Sequence, residues 1–250
     1  MNLKKIFNKR NFNLFYIASS VIFLIILLTL ACLQINLNSD KPFRIASIIM
    51  ILFMSSFSIF GNGIKLWKQE FKNNFLIFLA IIFCTLSESA KLIPNIGIYW
   101  VIFFFGTHIC LGLFFLKLRP FKKTDTILLS FLLIVGIFFY ISLFQYFHND
   151  SQGILLKIGV PFYLLVLIFS LWRVLLCYEN PKALYIIIGV VLFHISDYIV
   201  ITTLVANNNE DPLSMIVWLT YIIAIWLISI FDKNVFQFEQ TMVNSETKSE

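Results

Sequence analysis

Two stretches of this chain place carboxylates inside apolar runs. One is Phe193-His194-Ile195-Ser196-Asp197-Tyr198, within a run over 183–205. The other is Ser87-Glu88-Ser89, within a run over 75–92. A charged side chain at the centre of a membrane helix costs about 2.5–3.5 kcal/mol on insertion scales, and such residues face a bundle interior and mark a site. His194 precedes Asp197 by three residues, so a helix puts both on one face. Two carboxylates held near one another do not both ionise cheaply. One keeps its proton while the other loses it, which gives an acid and a base at the same pH. That pair suits acid-catalysed hydrolysis of acetals and enol ethers. A polar knot that only ties two helices together would use the same residues.

The other intramembrane ionisable residues are few. His108 stands alone in Gly106-Thr107-His108 and reads either as a packed, hydrogen-bonded histidine or as a third member of the site. Arg173, near a segment end, is expected to snorkel to the interface. Lys91 follows Glu88 by three residues and would pair with it. His108, His194, Glu88 and Asp197 include metal-ligand types, but no His-x-x-x-His pair occurs and no metal is expected. No Gly-x-Ser-x-Gly elbow, phosphate loop or dinucleotide fingerprint appears, so no cofactor is expected either.

Positioning these residues falls to a membrane scaffold. Of the 250 residues, 60% are hydrophobic and 13% charged. A soluble domain has about 45–50% apolar and about 25% charged residues. The fold class is therefore all-α, a polytopic transmembrane helix bundle. The net charge of +6 does not point to nucleic acid, because Lys and Arg sit in short loops between apolar runs, as topology signals do. The cysteines (Cys32, Cys84, Cys110 and Cys177) show no Cys-x-x-Cys spacing and no disulfide framework.

Eight segments approach the roughly 20 residues that a bilayer requires. They cover 13–33, 43–60, 75–92, 96–116, 126–144, 155–177, 183–205 and 213–231. Together 1–231 make one transmembrane domain, followed by a polar tail over 232–250. With the N-terminus inside, 15 of the 19 basic residues fall on the inner side. Only Lys41, Arg44, Lys91 and Lys157 fall outside, so both termini are expected to be cytoplasmic. The segments over 75–92 and 183–205 each carry a Ser-acid pair (Ser87-Glu88, Ser196-Asp197) as third helix of a four-helix half, a pattern compatible with a parallel repeat.

With these residues in view, the chain resembles the lysoplasmalogenase-like family, also called YhhN, of eight-helix membrane proteins. Phe193-His194-Ile195-Ser196-Asp197 is similar to the family's late F-x-x-S-D motif. Leu86-Ser87-Glu88 stands where the family usually has a Gly-Asp pair. The stretch over 105–115 with His108 resembles its F-x-x-x-H helix. Val160-Pro161-Phe162-Tyr163, followed by Trp172-Arg173, resembles its P-V-x-x-Y helix, and 221–228 is similar to Y-x-x-A-Q-x-L-I. Two departures stand out. Glu88 carries its carboxylate one methylene further than Asp would, and Ile225 occupies a position where the family often has Gln.

The resemblance implies an ether hydrolase that cleaves the vinyl ether of a lysoplasmalogen to a fatty aldehyde and a glycerophospho-head group. Glu88 and Asp197 would be the catalytic acids. Ser87, His108, Tyr163, His194 and Ser196 would bind or orient substrate and water. The expected partners are a lysophospholipid and the membrane, with no nucleic acid, and the expected location is a bacterial cytoplasmic membrane. The alternative is a non-catalytic lipid-binding or transport protein on the same bundle, in which the acids bind a head group or relay protons.

Overall fold

Helix formation in this chain follows from long apolar runs in which every backbone polar group must be satisfied within the segment. The computed structural model describes residues 67–90, 100–147, 151–178, 183–206 and 213–229, with six isolated helical positions before them. The expected segments over 13–33 and 43–60, Lys91, the two termini and the tail over 232–250 lie outside the described residues.

Among the described residues there are six helices and no strand. They are α1 (Trp67–Ala90), α2 (Val101–Leu118), α3 (Asp125–Phe144), α4 (Ser151–Leu175), α5 (Leu184–Ala206) and α6 (Leu213–Ser229). Each falls on one of the last six expected segments. Four of them (α2 to α5) are long and apolar enough to cross a membrane by length and composition. The protein is accordingly an integral membrane protein. The clearest departure is α1, which starts at Trp67 rather than at 75. Hydropathy marks only the apolar part of a helix. The preceding Lys, Gln, Glu and Lys are good helix formers and extend it.

The chain divides into two compact units, 1–107 and 108–250. In the first, α1 buries Ile77, Ala80, Ile81, Cys84, Ser87 and Glu88. This is one stripe at three- and four-residue spacing. Thr107, on α2, donates its hydroxyl to the carbonyls of Ala80 (3.3 Å) and Phe103 (3.2 Å) and meets Cys84 Sγ at 3.5 Å. Gly106 permits this approach, because a Cβ there would meet the Phe83 ring at 3.0 Å.

In the second unit, α3 is the outer helix, burying only Asp125, Gly136 and Leu143. The apolar side chains it leaves exposed, among them Ile127, Phe131 and Phe138, suit a lipid face. It packs on α4 where Gly136 lets Ile168 in; a Cβ there would lie 2.5 Å from Ile168 Cδ1. Pro161 sits inside α4 and lacks the N–H that would bond the carbonyl four residues back. That carbonyl, on Lys157, accepts the Tyr140 hydroxyl of α3 at 3.1 Å. Gly189 brings α5 against α6, where a Cβ would stand 3.0 Å from the Ala224 carbonyl oxygen.

Candidate functional site

The second unit holds a chain of buried polar side chains drawn from three helices. α2 supplies His108, α4 supplies Ser170, and α5 supplies His194 and Asp197. All four are buried. His108 Nε2 lies 2.5 Å from Asp197 Oδ2. Its other ring nitrogen, Nδ1, is 3.2 Å from Ser170 Oγ. Ser170 Oγ is 2.8 Å from His194 Nε2, and His194 Nδ1 ends the chain on the Val190 carbonyl at 2.6 Å. Gly112 allows the close approach of α2 to α4, since a Cβ there would be 2.3 Å from the Phe169 ring. Around His108 the Phe193 and Tyr163 rings pack at centroid distances of 4.8 and 6.0 Å.

Hydrogen positions follow from what each partner can do. A carbonyl only accepts, so His194 Nδ1 carries a proton. A neutral His194 then accepts the Ser170 hydroxyl proton at Nε2, and the Leu167 carbonyl, 2.9 Å from the same nitrogen, receives no proton from it in this arrangement. Ser170 has one proton, so towards His108 Nδ1 it can only accept, and Nδ1 must be protonated. One further proton lies between His108 Nε2 and Asp197 Oδ2. The contact is either imidazolium to carboxylate or imidazole to carboxylic acid, with the same count.

A second arrangement of the same protons is also complete. If His194 carries the extra proton, its Nε2–H points to Ser170 Oγ and to the Leu167 carbonyl, 2.9 Å away. Ser170 then turns its O–H to His108 Nδ1, and His108 donates Nε2–H to the Asp197 carboxylate. Two hops through the Ser170 hydroxyl, its own proton passing to His194 Nε2 as it takes the proton of His108 Nδ1, therefore move a proton from the Asp197 end to the His194 end with no heavy atom displaced.

The structure thus joins three of the expected site residues (His108, His194 and Asp197) and sets Tyr163 against them. Ser196 is buried, but its hydroxyl donates to its own helix, at the Phe193 carbonyl 2.8 Å away, and does not enter the chain. Ser87 and Glu88 belong to the first unit. Glu88 is 1% exposed, and the Ser87 hydroxyl donates to the Trp100 carbonyl at 3.0 Å. Ile225, at the departure on the last helix, is buried at 1% exposure.

Sequence reasoning missed Ser170, which links the two histidines. Its one signal was a polar residue inside an apolar run, and a helical serine can satisfy itself on the preceding turn. Ser170 does reach the Leu167 carbonyl at 3.1 Å. Arg173 also corrects an expectation. It does not snorkel: it is fully buried, stacked on the Trp172 ring at 5.0 Å. A second ion pair, Arg119 Nη1 to Asp125 Oδ1 at 3.3 Å, lies nearby where α2 ends and α3 begins.

Among the comparisons with known proteins, the model of the YhhN family matches residues 64–230. No curated protein and no solved structure gives a match.

Proposed function

The chain belongs to the YhhN family, and from that membership and the buried proton chain we propose that it is a membrane-embedded ether hydrolase acting on the vinyl ether of a lysoplasmalogen. The observation that carries the proposal is the His108–Asp197 contact at 2.5 Å, backed by Ser170 and His194. It provides a proton held away from water, a route for replacing it, and a carboxylate left behind when it goes.

Vinyl ether hydrolysis asks for those three things. Asp197, as the carboxylic acid, gives its proton to the β-carbon of the double bond. The π electrons form the new C–H bond, and the ether oxygen shares the resulting positive charge as an oxocarbenium ion. The Asp197 carboxylate stabilises that cation. Water adds to the cationic carbon and releases one proton, for which Glu88 is the proposed acceptor, assigned from the sequence. The hemiacetal then breaks its bond to the glycerol oxygen, which takes the proton held at Glu88, while the hemiacetal hydroxyl gives its proton to the Asp197 carboxylate and becomes the carbonyl of the departing fatty aldehyde. One water is consumed and the acid is reset, with the His108–Ser170–His194 chain buffering the charge on Asp197 in between. The basic loops support an orientation with both termini inside, and the proposed location, from the compact loops and the family, is a bacterial cytoplasmic membrane.

A second reading is favoured by Ser87-Glu88 and by the apolar Ile225: a binder or transporter of a lysophospholipid in which the same chain relays protons without cleaving the ether. The experiment that separates them follows fatty aldehyde released from a lysoplasmalogen by the purified protein, with the saturated alkyl ether as control. Aldehyde from the vinyl ether alone, lost in Asp197→Asn and Glu88→Gln, is the expected result. No aldehyde from folded wild type across head groups and pH would overturn the hydrolase.

A further inference from the structure

One helical turn beyond Ser170, α4 carries Arg173, which the proposed reaction does not use. Its guanidinium is fully buried. One Nη2 N–H donates to the Arg119 carbonyl. Nε and Nη1 have no hydrogen-bond partner among the described residues. Nε carries one N–H and Nη1 two, and arginine has no neutral form to retreat to. The carboxylate nearby is already engaged. Asp125 faces Arg119 through Oδ1 at 3.3 Å and accepts the Lys122 backbone N–H through Oδ2 at 2.9 Å. Among the described residues two guanidiniums therefore share one carboxylate, which leaves one positive charge over. A buried ion without a partner is strongly unfavourable.

The position of this group says what would complete it. Arg119 follows the last residue of α2 and Asp125 begins α3, so the loop lies at the polar end of two candidate spans. Lys122 and Lys123 are exposed on it. The ends of spans adjoin the lipid head groups, and a phosphate oxyanion matches the charge and the planar donors of arginine. We infer that Arg173, assisted by Arg119, is the binding site for a phosphate group, that of a single-chain phospholipid head group. The phosphate takes the unpartnered N–H groups of Arg173 as the Arg119–Thr124 loop yields. This rests on the reading of the protein as one that handles lysophospholipids, and it deepens that reading. Ser170 and Arg173 lie about 4.5 Å apart along the helix axis at 1.5 Å per residue. A phosphate held at Arg173 thus leaves the other end of the glycerol directed towards the proton chain.

The test is a binding measurement on the full chain in detergent, with three probes: a saturated alkyl lysophospholipid, the matching alkylglycerol without phosphate, and inorganic phosphate. Wild type should prefer the lysophospholipid about tenfold or more, the worth of one charge-assisted contact. Arg173→Gln should bring that preference close to one while alkylglycerol binding is kept, and Arg173→Lys should retain part of it. Inorganic phosphate that displaces the lysophospholipid marks a site open to free phosphate. Failure to displace it, with the lipid preference intact, restricts the site to head groups; both support the phosphate site and name its source. Equal binding of the two lipids by wild type, or a preference unchanged in Arg173→Gln, overturns it. The wild-type arm decides even if the variants do not fold. Aldehyde release is scored in parallel. A phosphate preference without aldehyde leaves the site standing and removes the hydrolase, and aldehyde without the preference does the reverse.

Discussion

The two polar clusters of the second unit lie one helical turn apart on α4 and are built in opposite ways. At Ser170 each donor has an acceptor: Asp197, His108, Ser170 and His194 close on one another and on the Val190 and Leu167 carbonyls. At Arg173 two nitrogens have no hydrogen-bond partner among the described residues, and the local carboxylate is already committed to Arg119 and the Lys122 amide. Both clusters are buried, so solvent does not explain the contrast. A closed network with two proton arrangements suits internal transfer, because a proton passes from one to the other with no heavy atom displaced. An open set of donors suits a ligand that arrives with its own charge.

The largest expected effect comes from breaking the closed cluster at its acid. Asp197→Asn keeps the shape and removes the proton donor, so aldehyde release should fall by about 10²–10⁴-fold, the range of general acid catalysis. An unchanged rate would place the acid elsewhere. Ser170→Ala comes next. It separates the two histidines and takes from His108 Nδ1 its Ser170 contact, while His194 Nε2 keeps the Leu167 carbonyl, which should lower stability by about 1–3 kcal/mol. The loss is readable as earlier thermal aggregation in detergent, with slower turnover in the protein that remains folded.

The open cluster should respond in the other direction. Arg173→Met replaces an incompletely bonded buried cation by an apolar side chain of similar length, and such replacements are often neutral or stabilising. The expected outcome is a melting temperature equal to or above that of wild type, together with loss of the preference for the phosphate-bearing lipid. A marked drop in melting temperature would mean that the guanidinium is structural, and the contrast between the clusters would fail. The smallest effect is expected at Ser196, whose hydroxyl bonds only its own helix. Ser196→Ala should change aldehyde release less than about twofold, because this buried hydroxyl is satisfied on the preceding turn at the Phe193 carbonyl. A larger loss would bring Ser196 into the site.

Much of this was legible in the sequence because membrane folds announce themselves through hydropathy. The six described helices fall where apolar runs predict them, and His108, His194 and Asp197 stand out as costly residues in apolar surroundings. The pairing was harder to read. His108 and Asp197 are 89 positions apart, and nothing local to either says which polar group on another helix it meets. Ser170 carried no cost signal, since serine hides within a helix by bonding the previous turn. Arg173 misled for a related reason. A long stem near a segment end can turn outwards or inwards, and stacking on Trp172 decides it. The start of α1 was misplaced because its first turns are polar and helical at once.

Pro161 has a consequence for how substitutions combine. Its ring cannot supply the amide that the Lys157 carbonyl takes in a regular helix, and Tyr140 of the outer helix brings a hydroxyl to that carbonyl instead. The two positions are therefore conditional on each other. In the present chain, Tyr140→Phe removes an interhelical bond of the kind worth about 0.6 kcal/mol on average in a membrane. Once Pro161 is replaced by alanine, a backbone N–H competes for the same oxygen and the hydroxyl becomes largely redundant. A tyrosine that matters only while a proline persists on the neighbouring helix makes the attachment of α3 to α4 a matter of epistasis: neither substitution alone reports what the other is worth.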